Sequence, residues 1–168
     1  KLAHALLQKI TTSTINYLKA QVKNGANIIQ LFDSWAGVLS EKMFYEFSLN
    51  YMSQIVDEIH TLAPVTIFAK DAHYAIEKIA QTNCNNIGLD WTINPLIAKK
   101  LSNGKTLQGN ADPCLLYAND EKIVSETQAM LLAFGKQNYI CNLGHGLYHD
   151  IKKSKVKLFV DTVKSFTY

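Results

Sequence analysis

Two side chains in this sequence have the type and setting to work on an anionic ligand. Ser34 stands in Asp33-Ser34-Trp35, just after the apolar run 28–32. A hydroxyl there can donate to a carboxylate, or it can serve only as a turn or helix-capping group. His145 stands between Gly144 and Gly146, just after the run 139–143. Paired glycines let the backbone approach a ligand and aim an imidazole inward. Phe32 precedes Ser34 by two residues, so an extended chain points both the same way. It suits a pocket wall and core packing equally. Other apolar runs also close on polar groups: Lys70, Asp71 and His73; Asp90 and Trp91; Gln108, Asn110 and Asp112. These read as a hydrogen-bonded framework that ties loops together. His4 and His60 fall on helical stretches and read as solvated.

The charge pattern constrains what such a site can hold. All 17 cations are Lys, and the chain has no Arg. Arg is the usual bidentate clamp for carboxylate and phosphate. Binding of a polyanion must then rely on Lys, on backbone amides or on Arg from another segment. A net charge of +3, scattered along the chain, is too small for a nucleic-acid footprint. No apolar run approaches the length that spans a bilayer, so no membrane partner is expected. Residues 1–8 lack the apolar core of a secretory signal. Cys84, Cys114 and Cys141 are odd in number and far apart, with no Cys-x-x-Cys pair. They suggest neither a metal site nor a disulfide framework, and they fit a reducing, cytoplasmic setting.

Positioning these groups requires elements, and their order is regular. Residues 2–23 carry Leu6, Leu7, Ile10, Ile15 and Leu18 near helical spacing and stop at Asn24-Gly25. A strand over 28–32 follows, then a helix over 41–62 that ends before Pro64. Strands over 65–69 and 86–90 flank a short helix over 74–80. A helix over 95–101 begins with Pro. A strand over 105–108 precedes a helix capped by Asn119 or Asp120 and running to Phe134. The last pair is a strand over 139–143 and a helix capped by Ser154, with Val156, Phe159, Val160 and Val163 on one face.

Strands alternating with helices predict an α/β protein with a parallel sheet. All five strands hand over to polar residues at their C-terminal ends. A TIM barrel places its active site there, whereas an open sheet concentrates its site at one switch point. The barrel is therefore favoured. A closed (β/α)8 barrel typically needs about 250 residues. These 168 residues are expected to form one domain, 1–168, the C-terminal portion of a TIM barrel, with the N-terminal barrel half absent. Five strands would leave two open sheet edges.

Five blocks carry a family resemblance. Leu31-Phe32-Asp33-Ser34-Trp35-Ala36-Gly37, Gly88-Leu89-Asp90-Trp91-Thr92, Leu107-Gln108-Gly109-Asn110-Ala111-Asp112-Pro113 and Asn142-Leu143-Gly144-His145-Gly146-Leu147 resemble, in order and spacing, blocks of the uroporphyrinogen decarboxylase family. Ile67-Phe68-Ala69-Lys70-Asp71-Ala72-His73 resembles a fifth, in the form carried by eukaryotic, cytosolic members. Ala111, Ala72 and His149 depart from the family's usual Leu, Gly and Pro without removing a polar group it needs.

The resemblance implies a homodimeric (β/α)8 enzyme without metal or organic cofactor. Its reaction removes the four acetate carboxyls of uroporphyrinogen III and gives coproporphyrinogen III. It implies substrate-binding roles for Ser34 and His145 and a pocket-wall role for Phe32. The family's N-terminal arginines, catalytic Asp and pocket Tyr find no match here. No catalytic residue is thus expected in this segment, and the segment alone is expected to be inactive. Two other readings stand beside it. A zinc-dependent thiol methyltransferase of the same superfamily needs a His-x-Cys near the second strand and a Cys near the last. Here His73-Tyr74-Ala75 lacks that Cys, and His145 occupies the glycine turn. The other is a non-catalytic barrel fragment acting as a binding partner.

Overall fold

The first 23 residues illustrate how the chain builds its layers. Helix α1 (Leu2–Lys23) buries Thr11 and Leu18 and ends at Asn24. Gly25 then turns the chain at φ +104, a left-handed conformation that costs a glycine little. A computed structural model describes all of residues 1–168. The strands are β1 (Ile29–Asp33), β2 (Val65–Ala69), β3 (Asn86–Gly88), β4 (Thr106–Ala111) and β5 (Tyr139–Leu143). The helices between and after them are α2 (Glu41–Phe44), α3 (Asn50–Ile59), α4 (Ile76–Ala80), α5 (Pro95–Leu101), α6 (Asp120–Phe134) and α7 (Lys153–Ser165). No helix is long and apolar enough to cross a membrane.

The strands form one sheet in the order β1-β2-β3-β4-β5, every pair parallel. Consecutive order without a reversal is the arrangement of a barrel wall, whereas a doubly wound sheet reverses at its switch point. The sheet is thus part of a barrel. Register aligns Leu31, Ile67, Ile87 and Leu107 on one face. This row is buried with Phe44, Val56, Ile59 and Phe134 from the helices, in the main apolar core. The opposite row is Phe32, Phe68, Gly88 and Gln108. On that inner face Phe32 remains 65% exposed, and Ile140 of β5 is exposed as well.

Element boundaries differ from the sequence reading where side chains or partner strands intervene. β1 begins and ends one residue later, leaving Ile28 exposed. β3 stops at Gly88, because beyond Leu89 the Asp90 carboxylate, not a strand, engages the neighbouring backbone. β4 extends to Ala111, since β5 pairs with it through Asn110 and Ala111. The helix expected over 41–62 is interrupted by a π-helical turn, Tyr45–Leu49, between α2 and α3. It ends at Ile59, whose carbonyl accepts the N–H groups of Leu62 and Ala63.

Asn119 caps α6, accepting from the Lys122 N–H at 2.9 Å. Ser154 does not cap α7. Lys152 holds that position, and its carbonyl already accepts from Lys155 and Val156, so Ser154 lies inside the first turn. On α7 Phe159 is buried, but Val160 is partly exposed. His4 is only partly solvated: it sits in the seam between α1 and α3, with its side chain 43% exposed and Nδ1 2.7 Å from the Tyr51 hydroxyl. Its Nε2 lies 3.2 Å from Glu46. His60 is half-buried.

Candidate functional site

Ser34 is presented by a turn that Asp33 holds from both sides. The Asp33 carboxylate accepts the Trp35 N–H at 3.1 Å and the Ser48 hydroxyl at 2.5 Å. Ser48 comes from the π-helical turn, so that irregularity places a donor beneath the Ser34 turn. The loop after β1 then presses on the loop after β2: the Gly37 N–H donates to the Lys70 carbonyl at 2.9 Å.

His145 is presented by the loop after β5, where the Gly144 N–H donates to the Ala111 carbonyl at 2.7 Å. A Cβ on Gly144 would stand 2.7 Å from the Trp91 nitrogen and 2.9 Å from the Asp90 Cα. Glycine here makes room for the protein's own backbone. Gly146 meets nothing within 4 Å, so packing within the chain demands only the first of the two glycines.

These loops open on one cavity of about 670 Å³ on the inner side of the sheet. Phe32, Ser34, Phe68, Gln108, Asn142 and His145 are among its lining residues. The His145 ring lies 6.2 Å from that of Phe68, which lies 5.7 Å edge-on to Phe32. The fold thus brings Ser34, Phe32 and His145 together from the first and last strands. A smaller hollow of about 430 Å³ shares Ser34 and His145 and adds Trp35, Lys70 and Asp71. A hollow of about 730 Å³ beside α6 contains none of the three candidates.

Behind the cavity lies the framework. Asp90 is 1% exposed. It accepts the Asp71 N–H at 2.6 Å, the Thr92 N–H at 2.9 Å and the Thr92 hydroxyl at 2.7 Å. Its carboxyl also lies 3.4 Å from His73 Nε2. Burial alone would push that carboxyl up. The Thr92 and Asp71 hydrogen bonds, with His73 nearby, outweigh it and hold the group below its ordinary value. Asn110 Nδ2 donates to the carbonyls of Asp90 and Ile93 at 3.1 and 2.8 Å. Asp112 accepts the Cys114 N–H at 2.8 Å. Gln108 lines the larger cavity and Lys70 the smaller hollow.

Phe68 and Ser48 were missed by sequence reasoning. Phe68 was legible in principle, since parallel pairing sets it opposite Phe32. Ser48 was not, because its position depends on the π turn.

No three His, Cys, Asp or Glu side chains converge where they could hold a metal ion. Cys141 pairs across from Gly109 in register and packs with the outer apolar cluster of Ile123 and Phe159. Burial pushes its thiol up. The thiolate set of a zinc methyltransferase is therefore not assembled by these residues.

Parallel strands in sequential order, helices outside and a cavity across the strand C-termini define a protein of the TIM-barrel class. A methyltransferase from Methanosarcina mazei has the same fold, with a TM-score of 0.81 over 93% of this chain and 47% of its own. At 18% identity that likeness concerns the fold alone. The chain belongs to the uroporphyrinogen decarboxylase (URO-D) family, whose family model matches residues 1–166. It is 46% identical over 165 residues to uroporphyrinogen decarboxylase of Christiangramia forsetii, covering 98% of this chain and 48% of the relative. The same named enzyme of Actinobacillus pleuropneumoniae serotype 5b is 42% identical over 99% of this chain and 49% of its own. That of Psychromonas ingrahamii is 44% identical over 97% and 48%. The chain spans about half the length of these curated relatives.

Proposed function

We propose that this chain forms one wall of a uroporphyrinogen decarboxylase. Residues 1–168 are the C-terminal portion of a single barrel domain, and the catalytic Asp and the Arg groups come from outside them. Ser34 and His145 hold substrate carboxylates by hydrogen bonds, and Phe32 forms pocket wall. The observation that carries this reading is the meeting of Ser34 and His145 at one cavity from opposite ends of the sheet.

The chemistry requires little else. A proton delivered to the pyrrole carbon turns the ring into an electron sink, and the acetate loses carbon dioxide into it. Protonation of the methylene and loss of the ring proton then leave a methyl group. A carboxylate facing the pyrrole N–H groups stabilises the cationic intermediate. No metal or organic cofactor takes part. The working enzyme is a cytoplasmic homodimer with no nucleic-acid or membrane partner. Three free cysteines and the small net charge support that setting.

The test is a chimera in which this chain replaces the matching segment of the Christiangramia forsetii relative. It is expected to convert uroporphyrinogen to coproporphyrinogen, while the 168 residues alone convert none. A folded chimera without conversion, or conversion by the chain unaided, overturns the assignment.

A further inference from the structure

We propose that Lys70 docks a substrate carboxylate at the cavity mouth, and that Asp71 occupies its ammonium until that carboxylate displaces it. The inference rests on the decarboxylase reading and names the residue through which this half of the barrel neutralises its polyanionic substrate.

Location is the first support. The sequence contains no Arg, and neither hollow that contains Ser34 and His145 has any lining Lys except Lys70. A substrate carrying many carboxylates must be met here by cations. This chain offers one Lys at the place where its two candidate binding residues meet.

Pre-organisation is the second. The Lys70 side chain is only 25% exposed, although it ends at a mouth. Its Nζ lies 2.5 Å from the Asp71 carboxylate and 5.6 Å from the centre of the Trp91 ring. A Lys held between an aromatic face and an anion has less rotamer freedom left to lose on binding.

The third support is how Asp71 is held. Its backbone takes φ +58, uncommon for a residue with a side chain, and its N–H is tied to buried Asp90 at 2.6 Å. The main chain is fixed by the framework, while the carboxylate is 46% exposed over the mouth. Partly exposed ion pairs are weak and screened. A substrate carboxylate arriving with further hydrogen bonds from Ser34 can therefore take the place of Asp71.

Opposite single substitutions separate docking from a purely structural pair. If Lys70–Asp71 only braced the loop, Lys70→Met and Asp71→Asn would do the same damage. If Lys70 docks substrate, the two diverge. Asn tolerates the left-handed backbone, and Asp71→Asn frees Lys70 and removes a competing anion.

In the chimera, Lys70→Met is expected to raise KM for uroporphyrinogen on the order of tenfold with little change in kcat. Lys70→Arg is expected to recover most of that, and Asp71→Asn to lower KM. Added salt should narrow the gap between the parent and Lys70→Met. Should Lys70→Met fail to fold, Lys70→Gln and Asp71→Asn decide the matter. An unchanged KM on loss of the Lys, or an equal rise in both variants, overturns the role of Lys70 and leaves the decarboxylase reading intact. A parent chimera that folds and neither binds nor converts uroporphyrinogen overturns that reading, and this inference with it.

Discussion

At the scale of single residues, the site divides between groups that open on the cavity and groups that hold those groups still. His145 illustrates the first kind. Its loop is fixed at Gly144 by the Asp90–Trp91 backbone, and its ring stands beside Phe68 at the edge of the cavity. In the decarboxylase proposed above, one imidazole there would face a substrate that must turn to present four acetates in succession. On that proposal it is expected to orient a carboxylate rather than serve as the sole proton donor. A hydrogen bond to a charged group contributes about 1.5–3 kcal/mol. His145→Asn is accordingly expected to slow turnover by roughly ten- to a hundredfold without abolishing it. Partly decarboxylated porphyrinogens should accumulate, as chromatography of the products would show. Loss of every step in a folded variant would make His145 the essential acid, and an unchanged product profile would make it structural.

At the scale of elements, Asp90 joins the loops after β2 and β3, and Asn110 of β4 binds that same stretch. An Asn at position 90 keeps the shape but cannot accept all three donors, at a cost of about 1–3 kcal/mol. Asp90→Asn should therefore lower the urea midpoint of the chimera at neutral pH. The pH dependence has a definite sign. The folded carboxyl titrates below its ordinary value of 3.8, so its contribution is fully present above that pH. It is lost as pH falls below 3.8 and through the depressed folded value. The gap between parent and Asp90→Asn should close in that acid range. A gap that stays constant to pH about 3 would mean that Asp90 is not stabilised as the anion.

At the scale of the whole molecule, the inner face and both outer strands are short of partners. β1 and β5 each pair on one side only. Phe32, Ile140 and Ile28 are exposed, and α1 carries Leu2, Leu6, Ile10 and Tyr17 exposed in addition. Unpaired parallel edges and bare apolar surface favour association. The 168 residues alone are expected to self-associate as concentration rises, whereas the chimera should sediment as a defined dimer. Sedimentation velocity across a concentration series distinguishes the two. A strictly monomeric isolated chain would show that these edges tolerate solvent.

Local spacing determined much of this protein. Alternating apolar runs and amphipathic stretches placed five strands and the helices between them, and a two-residue interval set Phe32 and Ser34 on the same side. Asn119 was legible as a cap because its bond reaches only to Lys122. What escaped depended on partners distant in sequence. β3 is cut short by a carboxylate that binds a backbone nitrogen 19 residues away. His4 is partly withdrawn from solvent by a tyrosine 47 residues on. Cys141 turns outward because register with β4 sets its face. The π turn beneath Ser34 leaves no trace in hydrophobic periodicity, since the flanking helices share one pattern. Lys70 reads in the sequence as one more polar residue after a strand. Only the fold decides that its ammonium stands over Trp91 at the mouth shared by Ser34 and His145, because a side chain's chemistry depends on what other elements bring within a few ångströms of it.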